Sequence, residues 1–417
     1  MTRPLDRRQF LSVAGGAALG AGLAACSGQE EPPGAGDRRA STAPAGGGTA
    51  GATPEPLEKP AISIGYIPIT CIAPLVMAGP LGFYERWGLD VTLKKYPGPA
   101  PLRDAFAAGE VDASHLLLPM PMTMALGVGS PKIAARVAVS QNLNGQAITL
   151  ANKHKGKITG PEGFRGKVVA VPFDFSMHNL LLRHYLSQGG VDPDTELEIR
   201  LLPAPDMVAS LITGTIDGFL GPDPFNQRAV HEGAGFIFML SKEIWNGHPC
   251  CAFAVTEDFR AQYPATYRAV VRAMVDASAW SHEPANREQV AEAIAPEEYL
   301  NQPLEVVRAV LTGRYDNGSG ETVTEPERID FDPYPWRSWG VWMGTQLTRW
   351  NYAEGDQFAT AADYRRIAEE TFLTPDTRAA MQALNLDAPE TEYKEERILG
   401  KTFNPDNPLP WTQKTVS

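Results

Sequence analysis

The four cysteines of the sequence divide into one near the N-terminus and three in the body. Cys26 follows Leu23-Ala24-Ala25, and small residues before a cysteine are the pattern of a lipobox, where the chain is cut and the thiol is acylated. Cys26 is therefore the predicted lipidation site. Cys71, Cys250 and Cys251 are too few for a disulfide framework, and their spacing matches no zinc motif.

Two polar side chains lie at the ends of predicted elements, one after a strand and one at the start of a helix, where they could contact a ligand. Thr70 offers a hydroxyl at the end of the first predicted strand, and His178 lies in the first turn of a helix predicted to begin after Ser176. Unpaired backbone N–H groups and the positive end of the helix dipole favour an anion there. For one histidine alone, a packing or surface role is the alternative. The sequence has no G-x-S-x-G, P-loop or H-E-x-x-H pattern, so we predict no catalytic residue, no metal ion and no cofactor.

The N-terminal residues are those of an exported protein. Arg7-Arg8 precedes a small, apolar, uncharged stretch that is too short to span a membrane and fits a signal peptide over residues 1–25. Twin arginines indicate export in the folded state. Residues 26–60, rich in Gly, Ala, Pro, Thr and Ser, are predicted to form a disordered linker. We therefore expect an extracytoplasmic protein, attached to the cell membrane through the lipid on Cys26.

Length and charge limit the kinds of partner. The chain has 37 basic and 49 acidic residues, a formal net charge of −12, and an acidic body argues against nucleic acid. A small anion is still compatible, because local donors govern a buried site. The roughly 350 residues after the linker exceed what one hydrophobic core usually serves, so two lobes are expected.

Strands and helices alternate from the start of the body, which predicts a parallel α/β layer. Strands are predicted at 61–66, 89–93 and 168–171, starting also at Val111, and helices at 73–87, 102–108 and 177–188. A weak repeat supports two similar lobes. In each copy a helix ends at a glycine, Gly109 or Gly214, and an apolar residue and an aspartate begin a strand. From about Cys251 onward the chain is predicted to be mainly helical.

Several segments of the body resemble the nitrate- and bicarbonate-binding lipoproteins of ABC importers. They cover nearly the whole mature chain: 65–70 (GYIPIT), 73–75 (APL), 109–112 (GEVD), 119–122 (PMPM), 144–145 (NG), 189–194 (GGVDPD), 214–217 (GTID), 223–224 (DP), 244–245 (IW), 248–249 (HP), 332–336 (DPYPW) and 402–405 (TFNP).

The resemblance implies the fold and the division of the chain. It implies a two-lobed α/β periplasmic binding protein of type II, with an inter-lobe cleft and a helical C-terminal extension. Lobe 1 would begin with residues 61–150 and lobe 2 would comprise 151–248. Residues 249–417 would return to lobe 1 and form the helical region.

The same resemblance implies a site for a small planar anion between the lobes. It gives the side-chain amide to Asn144, the histidine to His178 and the backbone donor to Gly221. Two positions depart from the family. Pro99 replaces a tryptophan, and Cys251 stands where nitrate binders have lysine and bicarbonate binders have glutamate. These changes predict weak or no nitrate binding.

The position of Cys251 also brings the body cysteines together. Cys71 follows the ligand-side turn after the first strand, so the three are predicted to lie near one another at the cleft. A Cys71–Cys250 bond, a Cys71–Cys251 bond and free thiols all remain open.

The function implied is capture of a small anionic or polar solute and its delivery to an ABC permease and ATPase. The predicted ligand contacts are Thr70, Cys71, Pro99, Asn144, His178, Gly221 and Cys251. Nitrate and bicarbonate both remain open, and a sulfonate or a pyrimidine precursor is an alternative solute. An enzyme of the thiamine-pyrimidine synthase kind is a further alternative, against which the export signal argues.

Overall fold

The computed structural model describes residues 55–353 and 356–414. The predicted signal peptide, Cys26 and most of the linker lie outside these ranges. Fifteen strands are found in the described part of the chain, in this order: β1 Ala61–Tyr66, β2 Asp90–Lys95, β3 Ala113–Leu117, β4 Ala135–Asn144, β5 Gln146–Ala151, β6 Val168–Val171, β7 Glu198–Leu201, β8 Gly218–Pro222, β9 Gly235–Leu240, β10 Pro249–Thr256, β11 Arg314–Asp316, β12 Thr322–Thr324, β13 Ile329–Asp330, β14 Glu396–Ile398 and β15 Lys401–Phe403.

Two sheets form the framework. The first has six strands in the order β13-β4-β10-β3-β1-β2, and the second has five in the order β7-β6-β8-β5-β9. Each has a parallel part, β2-β1-β3 in the first sheet and β7-β6-β8 in the second. In each, antiparallel strands complete the sheet: β10 pairs with β3 and β4, and β5 pairs with β8 and β9.

The chain passes between the sheets in two places. It leaves the first sheet at Asn144 and Gly145, both with positive φ (56° and 73°), and β5 then joins the second sheet. It returns where β10 begins at Pro249. Strand β5 therefore belongs to the five-stranded sheet, although its residues fall within the segment predicted from the sequence as the first part of lobe 1.

The internal repeat appears as two equivalent junctions between a helix and a strand. Gly109 and Gly214 have φ of 72° and 74°, as expected for left-handed helix ends. The aspartates that follow, Asp112 and Asp217, each pair with the strand beside them. Asp112 Oδ2 accepts from the Ser63 N–H at 2.9 Å, and Asp217 Oδ2 accepts from the Val168 N–H at 3.0 Å. The predicted repeat thus corresponds to one structural unit in each sheet.

Fourteen helices of the described ranges cover the sheets and form most of the C-terminal part: α1 Ala73–Met77, α2 Phe83–Arg86, α3 Pro99–Ala107, α4 Pro119–Leu126, α5 Met177–Gln188, α6 Ala204–Ile212, α7 Phe225–His231, α8 Glu257–Gln262, α9 Pro264–His282, α10 Arg287–Ile294, α11 Leu304–Leu311, α12 Arg337–Arg349, α13 Ala361–Thr371 and α14 Thr374–Ala383. None of them combines the length and apolar character of a membrane span. The predicted extents of β1, β6 and α5 are confirmed.

The prediction of a single helix at 73–87 is wrong, because the segment contains two short helices, α1 and α2. Pro80 has no N–H to continue the hydrogen bonding of α1. Gly82, which precedes α2, adopts φ 72°, a conformation outside any helix.

The body's contacts extend back to Glu55, well inside the segment predicted as linker. Arg268 forms an ion pair with Glu55 at 2.6 Å. The Glu58 carboxylate accepts hydrogen bonds from the N–H groups of Ala265 and Thr266 at the start of α9. Such contacts satisfy helix N–H groups that have no partner within the helix.

Four clusters of buried apolar side chains stabilise the described part of the body, and the fourth is much smaller than the others. The third one joins the two sheets, because it contains Leu116 and Ala254 from the first and Phe219 from the second. Cys71, Cys250 and Cys251 belong to this cluster, so the cysteines lie in the interior between the sheets.

Candidate functional site

Three thiols meet in the interior between the two sheets. Cys71, Cys250 and Cys251 are each fully buried, and their sulfur atoms lie within 4.8 Å of one another. Cys250 Sγ is 3.7 Å from Cys71 Sγ and 3.6 Å from Cys251 Sγ. A disulfide requires about 2.05 Å, so within the described chain these are free thiols. The predicted proximity of the three cysteines is confirmed, and of the open alternatives the free thiols are found.

A β-bulge lets two consecutive cysteines reach the same place. Neighbouring residues of a regular strand point to opposite faces. In the pairing of β10 with β4, Pro249 lies opposite Leu143 and Cys251 opposite Asn142, with the register shift between them. Cys250 is thus the extra residue of a bulge, an irregularity that re-aims side chains. The Cys251 N–H is held by Asn142 Oδ1 at 3.1 Å.

His178 borders this group from helix α5. It lies in the first turn of α5, whose N-cap Ser176 accepts from the Asn179 N–H at 3.1 Å through its side chain, as predicted. His178 is fully buried, and neither ring nitrogen forms a hydrogen bond of normal geometry with a described residue, although the ring lies near Cys250. A buried polar group without a partner costs about 1–3 kcal/mol. His115 on β3 is also buried, and its ring nitrogens likewise lack partners in that part of the chain.

The three thiols titrate as a set. Burial raises the pKa of Cys71 and of Cys251 well above the usual range, and their contact with Cys250 adds to this. For Cys250 burial acts in the same direction, but contacts with Cys251, Cys71 and His178 outweigh it and hold its pKa well below the usual range. Burial also lowers the pKa of His115 to about 4, which keeps that ring neutral at pH 7.

Beside the thiols, a network of polar residues joins the two sheets. The main-chain carbonyl of Asp223 accepts from Thr70 twice, from its N–H at 3.0 Å and its hydroxyl at 2.9 Å. The Asp223 carboxylate receives Arg328 in two hydrogen bonds of 2.9 and 2.8 Å, and both side chains of this ion pair are fully buried. Arg328 also donates to Gln227 at 2.8 Å. Thr70 therefore directs its hydroxyl proton at Asp223.

Asn144 completes this network at the passage between the sheets. Its Nδ2 donates to the carbonyl of Glu327 at 3.0 Å and to Asn246 Oδ1 at 3.3 Å, and its Oδ1 accepts from the Gly247 N–H at 3.0 Å. Both amide protons are thus bound within the protein. We call Thr70, Asn144, Asp223, Gln227 and Arg328 the crossing network.

Pro99 and Gly221 line the region without offering side-chain donors. Pro99 begins α3 and borders a small, mainly apolar cavity with Ile67, Leu117, Pro172 and Pro222. Gly221 lies in β8 opposite Ala147. A Cβ atom at Gly221 would come 3.0 Å from Met207 Sδ and 2.9 Å from the Phe219 ring, so a side chain there would displace its neighbours.

The structure thus separates the seven predicted ligand contacts into groups. Cys71 and Cys251 are two of the three thiols, and His178 lies beside them. Thr70 and Asn144 belong to the crossing network. Sequence reasoning did not include Asp223 and Arg328, which are the centre of that network. Asp223-Pro224 is one of the segments that resemble the family. No local pattern, however, connects Asp223 with Arg328, which lies more than a hundred positions later.

The chain matches the family model described as the NMT1-like family over residues 55–295. It is 29% identical to the nitrate/nitrite binding protein NrtA of Synechococcus elongatus, over 97% of this chain and 96% of that protein. It is 32% identical to the bicarbonate transport ATP-binding protein CmpC of Synechocystis, over 86% of this chain. The chain spans only about half the length of such ATP-binding relatives, 56% of CmpC.

Among solved structures, the chain is similar to the periplasmic nitrate-binding protein NrtA from Synechocystis. The TM-score is 0.80 at 26% identity, and the match covers 86% of this chain and 99% of that one. The fold is that of the periplasmic binding proteins, with two α/β lobes and a cleft between them, as the sequence predicts.

Proposed function

Because the chain belongs to the NMT1-like family, we propose that it is the extracytoplasmic solute-binding component of an ABC-type importer. In this role it captures a small anionic or polar solute between its lobes and presents it to a permease driven by an ATPase. It performs no chemistry on the solute. Relatives named for binding nitrate and nitrite, together with a relative named for bicarbonate transport, support this class of solute.

One observation carries the proposal: His178 is fully buried between the sheets, and both of its ring nitrogens are without a partner in the described ranges. Its position at the beginning of α5 places it near helix N–H groups and the positive end of the helix dipole. A buried donor of this kind is what a small oxyanion requires, and its binding would offset the cost of leaving the ring unpaired.

The proposed site retains all seven residues predicted from the sequence, but they have different roles in it. His178 is the proposed donor, Cys71 and Cys251 border the solute, and Pro99 and Gly221 shape its surroundings. Thr70 and Asn144 act from the crossing network, which fixes the two sheets against each other. Cys251 supplies neither the cation of nitrate binders nor the carboxylate of bicarbonate binders, and we therefore expect weak nitrate binding.

Calorimetry on the chain from residue 26 onward, with Cys26→Ser to keep it free of lipid, tests the proposal. Nitrate, nitrite, bicarbonate, an alkanesulfonate and a pyrimidine are titrated separately. We expect saturable 1:1 binding of a small polar solute, weakened at least tenfold by His178→Ala. Tight binding only of a large apolar compound, or an affinity indifferent to His178→Ala, contradicts the proposal.

We also propose that the mature protein begins at an acylated Cys26 and is exported by the twin-arginine route. The support is the order of the sequence features: twin arginines, an apolar stretch and the lipobox. Mass spectrometry of the N-terminal peptide from membranes should give a lipid-modified cysteine. A mature form without lipid that begins elsewhere contradicts this.

A further inference from the structure

We propose that Cys71, Cys250, Cys251 and His178 form a binding site for one thiophilic d¹⁰ metal ion, of the Zn²⁺ or Cu⁺ class. The donors are three sulfur atoms and one imidazole nitrogen. The inference rests on the proposed function in one respect: the metal would lie within the proposed solute site. It assigns that site a ligand chemistry different from that of a free oxyanion.

The distances between the sulfur atoms fit a common metal ion. Zinc–sulfur bonds are about 2.3 Å, and tetrahedral geometry then separates two sulfur ligands by about 3.8 Å. The observed separations are 3.7 Å for Cys71 and Cys250 and 3.6 Å for Cys250 and Cys251. The third lies within the 4.8 Å that bounds the whole group. Shifts of about 1 Å or less therefore suffice to place all three sulfurs on one ion.

His178 is the independent observation that points to a ligand. Three thiols alone could be small apolar side chains packed in a core, and such packing does not need an imidazole. His178 is fully buried, and its ring nitrogens form no hydrogen bond in the ranges described. It lies outside the 4.8 Å group of the three sulfurs, so its ring would have to approach them to complete the site. A metal bond would satisfy one nitrogen of this ring.

The surroundings favour a soft ion over a hard one. Thiolate and imidazole donors select Zn²⁺ and Cu⁺, whereas Mg²⁺ and Ca²⁺ require oxygen ligands. The carboxylate of Asp223, whose main chain contacts Thr70 beside Cys71, is already bound to Arg328 by two hydrogen bonds. The donors also come from separate elements: the turn after β1, the bulge in β10, and the first turn of α5. The fold therefore sets the geometry of the donor group.

The bulge at Cys250 gives the arrangement a structural reason. Without it, Cys250 and Cys251 would project to opposite faces of the sheet, and one of them would be removed from the group. Bulges occur preferentially beside functional sites, where they re-aim side chains. Here the bulge brings two sulfurs to the same side, facing Cys71.

Metal binding is measured on the reduced chain from residue 26 onward, carrying Cys26→Ser, under anaerobic conditions. Zn²⁺ and Cu⁺ are each titrated against a chelator of known affinity, and Co²⁺ serves as a spectroscopic probe. We expect one ion per chain, with thiolate-to-cobalt charge-transfer absorption and the intense d–d bands of tetrahedral Co²⁺. The Zn²⁺ and Cu⁺ arms identify which ion is preferred. A chain that competes with the chelator for neither ion overturns the inference.

The variants Cys71→Ser, Cys250→Ser, Cys251→Ser and His178→Gln should each weaken metal binding at least tenfold and change the Co²⁺ spectrum. His231→Gln is the matched control, because His231 is an exposed histidine whose loss should change neither reading. Alkylation of the unmutated protein gives a second measurement that does not require the variants to fold. Bound metal should slow the reaction of all three thiols, and equal rates with and without metal contradict the site.

The outcomes separate this inference from the proposed function. Oxyanion binding by a chain that takes no metal refutes the site and leaves the function intact. Metal binding without affinity for any oxyanion supports the site and refutes the anionic solute. If oxyanions bind only after metal has been added, both are supported and the ion is part of the solute site.

Discussion

The crossing network and the group of Cys71, Cys250, Cys251 and His178, which we call the thiol cluster, are neighbouring regions between the same two sheets. They differ in whether their buried polar groups are paired. In the crossing network, the Arg328 guanidinium binds Asp223 and Gln227, and both amide protons of Asn144 have acceptors. In the thiol cluster, His178 is equally buried and has no partner in the described part of the chain.

The difference indicates which region is structural and which is reserved for a ligand. Buried polar groups in proteins are nearly always paired, and an unpaired one requires a reason. A network whose bonds are complete stabilises one arrangement of the lobes. A buried donor left unpaired is available for a solute or an ion. Four changes test this comparison, ordered by their expected effect on the free energy of unfolding.

Arg328→Ala should have the largest effect. It leaves the fully buried Asp223 carboxylate without its cation, and breaking a buried pair in this way costs about 3–5 kcal/mol. Urea denaturation measures the loss. Arg308→Ala is the control, because its ion pair with Glu288 is largely exposed and should contribute at most about 1 kcal/mol. Equal losses in the two variants would remove the basis for calling the crossing network structural.

Asn144→Ala should cost about 2–3 kcal/mol, because it removes three hydrogen bonds and places alanine at φ 56°. Asn144→Gly loses the same bonds but tolerates the positive φ, so it should be less destabilising by about 1 kcal/mol. Solute affinity, measured by calorimetry below the unfolding transition, should fall less in both than it does in His178→Ala. A large loss of affinity would favour the contact with the ligand that the family resemblance implies for Asn144.

The third test uses a second buried histidine on the same helix as His178. His184 Nδ1 accepts from Arg349 at 3.0 Å, and burial, with the charges of Arg349 and Lys401, lowers its pKa to about 3. The unfolded chain binds this proton near pH 6.5 and the folded chain does not, so stability falls as the pH decreases from 6.5 towards 3. Between pH 6.5 and 5 we expect a loss of about 2 kcal/mol from this group.

His184→Gln should remove that part of the pH dependence. Unfolding curves of the variant and the unmutated protein, recorded at pH 7, 6 and 5, isolate the contribution. The two proteins should differ most in slope below pH 6.5. Parallel curves would mean that His184 titrates normally in the folded protein.

His178→Leu should have the smallest effect: the free energy of unfolding should change by no more than about 1 kcal/mol, in either direction. Replacing a buried polar group that has no partner by an apolar one of similar size removes a desolvation cost. The same change should weaken ligand binding at least tenfold. A loss of several kcal/mol without any change in binding would instead assign His178 to the structural network.

Local patterns in the sequence predicted much of the fold. The N-cap Ser176, the glycines at the two repeated junctions and the extents of β1 and β6 each depend on a few neighbouring residues. The structure has them where expected. The helix predicted at 73–87 was wrong, because Pro80 and Gly82 interrupt it. There, two residues that disfavour a helix outweighed the apolar pattern.

The site was only partly predictable, because its geometry depends on contacts between distant segments. The cysteines could be grouped from the family's ligand position, but the bulge that aligns Cys250 with Cys251 depends on pairing with β4 and has no local signal. The partners of Thr70 and Asn144 depend on how the sheets meet. For that reason, the sequence could name polar residues near the cleft without separating the paired from the unpaired.

The contacts between the thiols also indicate the order in which parts of the chain fold. Cys71 and Cys250 are separated by 179 positions, so their sulfurs meet only after β10 has paired between β3 and β4. Contacts between such distant segments form after local ones, since the entropy of closing the intervening chain must first be offset. Joint protection of these thiols from alkylating reagents therefore marks a chain in which both sheets are assembled, and it distinguishes such chains from partly folded ones.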